Sequence, residues 1–334
     1  MNKNFNLMLF FFVLMFSIII GINANSMLYF WISIEVNMIS FIPLIMFNNK
    51  NKFNDSFMKY FLIQSISSSM MLFYSISLMM NKMNFMWFMI LIMLMKLGMF
   101  PFYYWYINML LNLSWINCFL LMSVQKILIF FMMSNLVMYE FYVNVYMLNL
   151  VIVMSALMSM MLLFKNKSLK ILMGCSSLNQ MSWMVFSIFM SVKVWIYYYS
   201  FYMIILMNLV LIFEMNKIES LKNLFMLSKK NKLLLFSVMM SMMSIPPMVS
   251  FYMKSFMLLY LLMDLMFMLG YLLIMSSVGF MYFYMKIFLT SMIFSSNVNY
   301  LNMKLMNYIH IKLVNLMVLM ILLISGILVY WVIM

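Results

Sequence analysis

Long apolar runs, one after another, decide what this chain can fold into. Eleven of them, at about 5–22, 27–47, 57–80, 85–107, 115–134, 143–164, 169–191, 194–214, 233–262, 266–290 and 311–333, carry almost no charge. About 20 such residues wound as a helix cross the ~30 Å hydrocarbon core of a bilayer. Inside that core every backbone N–H and C=O must find its partner within the segment, so the runs are expected to be helices rather than strands. The whole chain is 68% apolar and 8% charged with a mean hydropathy of +1.09, whereas a soluble domain is roughly half apolar and a quarter charged. The expected fold is therefore all-α: a polytopic membrane protein of about eleven transmembrane helices, one membrane domain over residues 1–334.

The residue types narrow where such a chain is made. It has no arginine, one histidine (His310), two alanines, six glycines and four prolines, against 54 methionines. Amino acids with GC-rich codons are scarce and those with AT-rich codons abound. Methionine tolerates irregular packing, but packing alone does not account for 54 of them; reading AUA as methionine, as animal mitochondria do, does. A mitochondrially encoded protein of the inner membrane is expected. The N-terminal MNKNFNLMLFFFVLMFSIII lacks a small-residue cleavage site and reads as the first span, not a signal peptide.

Lysines give the topology. With successive spans crossing in alternate directions, fifteen lysines, among them Lys217, Lys229, Lys230 and Lys232, share the side of residue 1, and only Lys82 and Lys193 lie opposite. The positive side is the inside, which puts the amino terminus in the matrix and the carboxyl terminus in the intermembrane space. The net charge of +14 is thus loop charge that fixes orientation, not a basic face for nucleic acid. A single histidine cannot ligate haems or build a copper site. The absence of arginine excludes the channel subunit of a rotary ATP synthase. Cys118 and Cys175 sit in apolar runs without metal-ligand spacing and read as small buried residues. No redox centre, metal or cofactor site is expected in this chain.

Four charges fall within the runs and cannot be assigned to loops: Glu35, Lys96, Lys126 and Lys254. Each costs about 2.5–3.5 kcal/mol at the centre of a membrane helix, roughly 10–14 for the set if additive. One carboxylate can pair with one lysine; the other two must spend time neutral, or be hydrated internally. Taking an ammonium out of water disfavours its charged form, so such a set is expected to relay protons, the alternative being a set of structural ion pairs and snorkelling side chains. Pro101 follows Lys96 by five residues, with Gly98 between, and Pro246 and Pro247 precede Lys254. Proline lacks the N–H and clashes with the carbonyl four residues back, so both helices are expected to break there, and broken helices beside ionisable groups recur in ion transporters. Residues 5–134 and 143–290 read as two five-helix repeats, inverted because five is odd, each with its proline-broken fourth helix, followed by a final span at 311–334. Gln64, Ser176, Ser177 and Asn179 are candidates either to line a water file or to bond helix to helix. Glu214, Lys217, Glu219 and Lys222 stand at helical spacing in the long polar loop and form either an interfacial helix or a solvated loop.

Six short motifs in order carry a resemblance. ISIEVNMISFIP (32–43), MKYFLIQS (58–65), KLGMFPFYYW (96–105), SVQK (123–126), CSSLNQMSW (175–183) and IPPMVSFYMK (245–254) are similar to segments of the subunit 2 family of mitochondrial NADH:ubiquinone oxidoreductase, complex I, an antiporter-like membrane family. The resemblance covers most of residues 25–290. It departs at Tyr103 and Gln180, where the family usually has His, at Val124 for Trp and at Ser250 for Gly. Tyrosine titrates near 10 and glutamine not at all, so a proton-carrying role is not expected at 103 or 180.

The resemblance implies a proton-pumping subunit of the membrane arm. Glu35 would pair with and modulate Lys96, Lys126 would be the central relay, and Lys254 would pass the proton towards the intermembrane space. Partners would be the other membrane-arm subunits, including further antiporter-like ones, and lipids such as cardiolipin. NADH, FMN, iron–sulfur clusters and ubiquinone would act in other subunits. Competing readings are a stand-alone Mrp-like cation/proton antiporter, a passive scaffold, and the homologous but longer subunits 4 and 5.

Overall fold

The computed structural model describes residues 2–48, 54–80, 86–139, 145–165, 168–225, 227, 229–245, 248–263 and 267–293. Among the described residues all regular structure is helical: α1 (Asn2–Ile22), α2 (Met27–Asn48), α3 (Asn54–Met79), α4 (Met86–Leu97), α5 (Tyr103–Asn112), α6 (Trp115–Met122), a 3₁₀ turn (Val124–Lys126), α7 (Ile127–Tyr139), α8 (Val145–Lys165), α9 (Leu169–Met190), α10 (Val192–Met215), α11 (Leu221–Phe225), α12 (Lys229–Met243), α13 (Val249–Met263) and α14 (Phe267–Ile293). Six segments among the described residues are by themselves long and apolar enough to cross a membrane: Phe5–Ile22, Met27–Met46, Trp115–Val137, Met147–Phe164, Val192–Met215 and Phe267–Ser291. The expected last span at 311–333 and His310 lie outside the described residues, as do Pro246 and Pro247.

Three runs expected as single spans are each built from two helices. The run at 85–107 is α4 and α5 and reaches Asn112; the run at 233–262 is α12 and α13. The run at 115–134 is α6 and α7 joined through the 3₁₀ turn at Val124–Lys126, an interruption in a stretch with neither proline nor glycine. The polar loop also resolves. α10 ends at Met215, Lys217 takes a left-handed φ of 49°, and α11 starts only at Leu221. No single helix therefore carries Glu214, Lys217 and Glu219, all of them exposed: Glu214 lies in the last turn of α10 and the other two between α10 and α11.

Packing divides the chain into two compact units, Met1–Ser155 and Ala156–Met334. In the first, α2 packs on α1, α3 and α6, α3 also on α4 and α5, and α7 on α1 and α4. In the second, α9 and α13 each pack on α10 and α14, while α12 contacts α10, α13 and α14. Lipid is as apolar as leucine, so close packing and hydrogen bonds rather than the hydrophobic effect hold such helices together. Trp31 Nε1 donates to the Ser68 carbonyl at 2.9 Å, joining α2 to α3, and Asn117 Nδ2 donates to the Leu44 carbonyl at 3.2 Å, joining α6 to α2. Lys232 is no loop lysine. It is 2% exposed, and its Nζ donates at 2.6 Å to the carbonyl of Ser291 in the last turn of α14, where a cation complements the helix dipole.

Candidate functional site

In the first unit the site begins where α4 stops. Pro101 has no N–H, so the Leu97 carbonyl has no helical donor four residues on. Gly98 turns the chain at φ +69°, and a Cβ there would lie 2.7 Å from Tyr106 Cβ, so only glycine fits both the backbone and the space. Trp105 Nε1 donates to the Met95 carbonyl at 3.1 Å, capping the end of α4 from within α5. Lys96, in the last turn of α4, is 3% exposed. Glu35, half-buried on α2, interacts electrostatically with it.

Lys126 closes the 3₁₀ turn. Ser123 leaves helical geometry at φ −123°, ψ −85°, its hydroxyl donating back to the Phe119 carbonyl, and the Lys126 N–H donates to the Ser123 carbonyl at 2.8 Å. Lys126 is 3% exposed and its Nζ stands 4.0 Å from the centroid of the Tyr106 ring, a cation–π distance. Tyr106 thus faces both interruptions: its Cβ lies against Gly98 and its ring face holds Lys126. Nothing in the tyrosine-rich run at 103–106 singled it out. Gln64 is buried on α3, Tyr103 opens α5 half-buried, and the Tyr60 hydroxyl donates to Gln125 Oε1 at 3.4 Å.

In the second unit α9 is buried on every side from Ile171 to Phe189, which marks the centre of a bundle. Lys254, in the second turn of α13, is 5% exposed with its Nζ 5.2 Å from the Trp183 ring centroid on α9. The hydroxyls of Ser176 and Ser177 donate to the carbonyls of Met173 and Gly174 at 2.9 and 2.7 Å, and the Tyr284 and Tyr202 side chains face them. Asn179 Oδ1 accepts from Ser276 Oγ at 2.9 Å and so joins α9 to α14.

Lys96, Lys126 and Lys254 each lie within a few residues of a helix interruption. Non-helical backbone at membrane depth is tolerated only where protein buries it or water lines it, and an amine there can take up or release a proton. Among the described residues no three His, Cys, Asp or Glu side chains gather to hold a metal.

The family described as NADH:quinone oxidoreductase/Mrp antiporter, transmembrane, matches residues 24–93 and 78–281. NADH-ubiquinone oxidoreductase chain 2 of Anopheles gambiae is 33% identical over 259 residues, 73% of this chain and 73% of the relative. That of Locusta migratoria is 29% identical over 312 residues, 90% of this chain and 89% of the relative. Among solved structures, a chain of respiratory complex I from Thermus thermophilus shares the fold with a TM-score of 0.77 at 14% identity, covering 86% of this chain and 70% of that one.

Proposed function

The chain belongs to the NADH:quinone oxidoreductase/Mrp antiporter family, and within it to the NADH-ubiquinone oxidoreductase chain 2 proteins; from that premise we propose that it is a proton-translocating membrane subunit of respiratory complex I. One observation carries the reading: of the four lysines buried among the described residues, three, Lys96, Lys126 and Lys254, sit within about five residues of a break in their helices, while the fourth, Lys232, is bonded to the end of α14. Intramembrane ionisable residues mark ion pathways, and helix breaks supply unpaired backbone dipoles and space for water around them. A scaffold needs neither.

In this reading Lys96, Lys126 and Lys254 take up and release the pumped proton, and the charge of Glu35 modulates Lys96. Tyr106 lies against the Gly98 turn that follows Lys96 and also against Lys126, so a change at that turn is felt at Lys126. Gln64, Ser176 and Ser177 supply hydroxyl and amide groups for internal water. Residues 5–134 and 143–290 form two inverted five-helix repeats in this reading. NADH oxidation and ubiquinone reduction take place in other subunits, which hold the FMN and iron–sulfur clusters; the partners are the other membrane-arm subunits, with cardiolipin among the bound lipids. The chain spans the mitochondrial inner membrane with its amino terminus in the matrix.

The chain 2 relatives favour a complex I subunit over a stand-alone Mrp-like antiporter, for which the chain would migrate free of the large complex on a native gel. The direct test is a pair of substitutions. Glu35→Gln removes the charge facing Lys96 and should slow NADH-driven pumping in the assembled complex, whereas Glu35→Asp keeps the charge and should retain most of it. Equal loss in both assigns Glu35 a geometric role and removes the electrostatic step.

A further inference from the structure

α12 ends at Met243, Ser244 turns left-handed at φ +61°, and a new hydrogen-bonded turn opens only with the Met248 N–H to Ile245 carbonyl bond at 2.7 Å. Two carbonyls at that end lack their helical donors. The donor for Met242 would be the N–H of residue 246, a proline that has none, and the donor for Ser241 would come from Ile245, past the last helical residue. Both residues are buried, where an unpaired carbonyl is costly.

Side chains from two other helices supply the missing donors. Gln180 Nε2, on α9, donates to the Met242 carbonyl at 2.8 Å, and Ser250 Oγ, on α13, donates to the Ser241 carbonyl. The Tyr198 hydroxyl, on α10, donates to Gln180 Oε1, which fixes the amide with its N–H towards Met242. A cavity of about 10 Å³ lined by Gln180, Tyr198, Tyr202, Ser241, Met242 and Ser250 borders these bonds. Lys254 follows Ser250 by one helical turn on α13.

We propose that Gln180 and Ser250 are positioning residues that clamp the end of α12 and thereby set where α13 presents Lys254, with Tyr198 orienting the glutamine. Glutamine here carries no proton; it supplies one donor to a carbonyl and one acceptor to a hydroxyl. The proposal rests on Lys254 taking part in proton transfer.

The test uses the intact complex in sealed vesicles, with proton pumping per NADH oxidised compared across variants whose assembly and NADH oxidation with an artificial acceptor are normal. Gln180→Met keeps the length and loses both bonds; pumping should fall about fivefold or more, the scale of a buried carbonyl left unpaired. Gln180→His, which can donate with one ring nitrogen and accept with the other, should restore most of it. Ser250→Ala should lose pumping and Ser250→Thr, which keeps the hydroxyl, should not. Equal loss in Gln180→Met and Gln180→His overturns the clamp, and so does wild-type pumping in an assembled Gln180→Met complex. If Gln180→Met does not assemble, the Ser250 pair decides, and wild-type pumping in Ser250→Ala overturns the proposal. Lys254→Met, measured alongside, separates the two levels: pumping retained there removes the relay role of Lys254, whereas pumping lost there but retained in Gln180→Met removes only the clamp.

Discussion

Replacing Gly98 by alanine should disable both breaks of the first unit at once. An L-residue at φ +69° costs about 1–2 kcal/mol from Cβ against its own backbone. The new methyl would also stand 2.7 Å from Tyr106 Cβ, an atom fixed to the α5 backbone that cannot swing aside, and overpacking of this kind costs about 1–3 kcal/mol. Together they amount to about 2–5 kcal/mol against the native geometry, roughly 30-fold or more at 1.4 kcal/mol per decade. Relief requires Tyr106 to move, which withdraws its ring from Lys126 Nζ, now 4.0 Å away. The assay compares assembled complex on native gels, NADH-driven pumping in sealed vesicles, and NADH oxidation with an artificial acceptor. Gly98→Ala should lower heat resistance of the assembled complex and reduce pumping several-fold, with the acceptor reaction near normal. Gly270→Ala is the internal control. Its Cβ would meet a flexible Leu261 Cδ1 at 3.2 Å, and a helical glycine gains about 0.5–1 kcal/mol of propensity on becoming alanine. Equal behaviour of the two variants would refute the steric argument.

Two further outcomes follow from the same structure. A membrane-impermeant amine reagent added to mitoplasts should modify Lys193, exposed at the start of α10, and leave Lys217, exposed just past its end; the reverse pattern overturns the orientation. Lys232→Met removes the bond from Nζ to the Ser291 carbonyl, worth about 1.5–3 kcal/mol for a charged donor, and should lower the temperature at which the complex falls apart; an unchanged temperature would show that the bond adds no stability.

The sequence makes helices legible because lipid permits little else, and hydropathy marks them to within a few residues. Breaks are legible where proline and glycine dictate them, as at Gly98 and Pro101. The interruption before Lys126 is not, because Ser123 leaves helical geometry through its own hydroxyl and its tertiary surroundings rather than through a residue type that forbids helix. Tyr106 was hidden for a related reason: four consecutive aromatics at 103–106 look alike until the fold puts one against Gly98 and Lys126. Lys232 misled by composition, since one lysine in a cluster of five at 217–232 reads as loop charge until the end of α14 is placed beside it. Gln180 and Ser250 were visible only as departures from a family pattern. Their carbonyl partners, 62 and 9 residues away in sequence, have no signature short of the fold.

Lys126 tests the central claim most directly. It is 3% exposed in the 3₁₀ turn, too deep to snorkel easily, and its replacement by methionine keeps a similar length while removing its titratable amine. If the buried lysines are a relay, Lys126→Met should assemble, oxidise NADH with an artificial acceptor at a near-normal rate, and lose most ubiquinone-linked turnover and proton pumping. If they are a scaffold, removing a buried charge should leave stability equal or better, and pumping intact. The decisive measurement is protons translocated per NADH oxidised by the assembled Lys126→Met complex in sealed vesicles: a severe fall is the predicted result, and wild-type stoichiometry would contradict the relay.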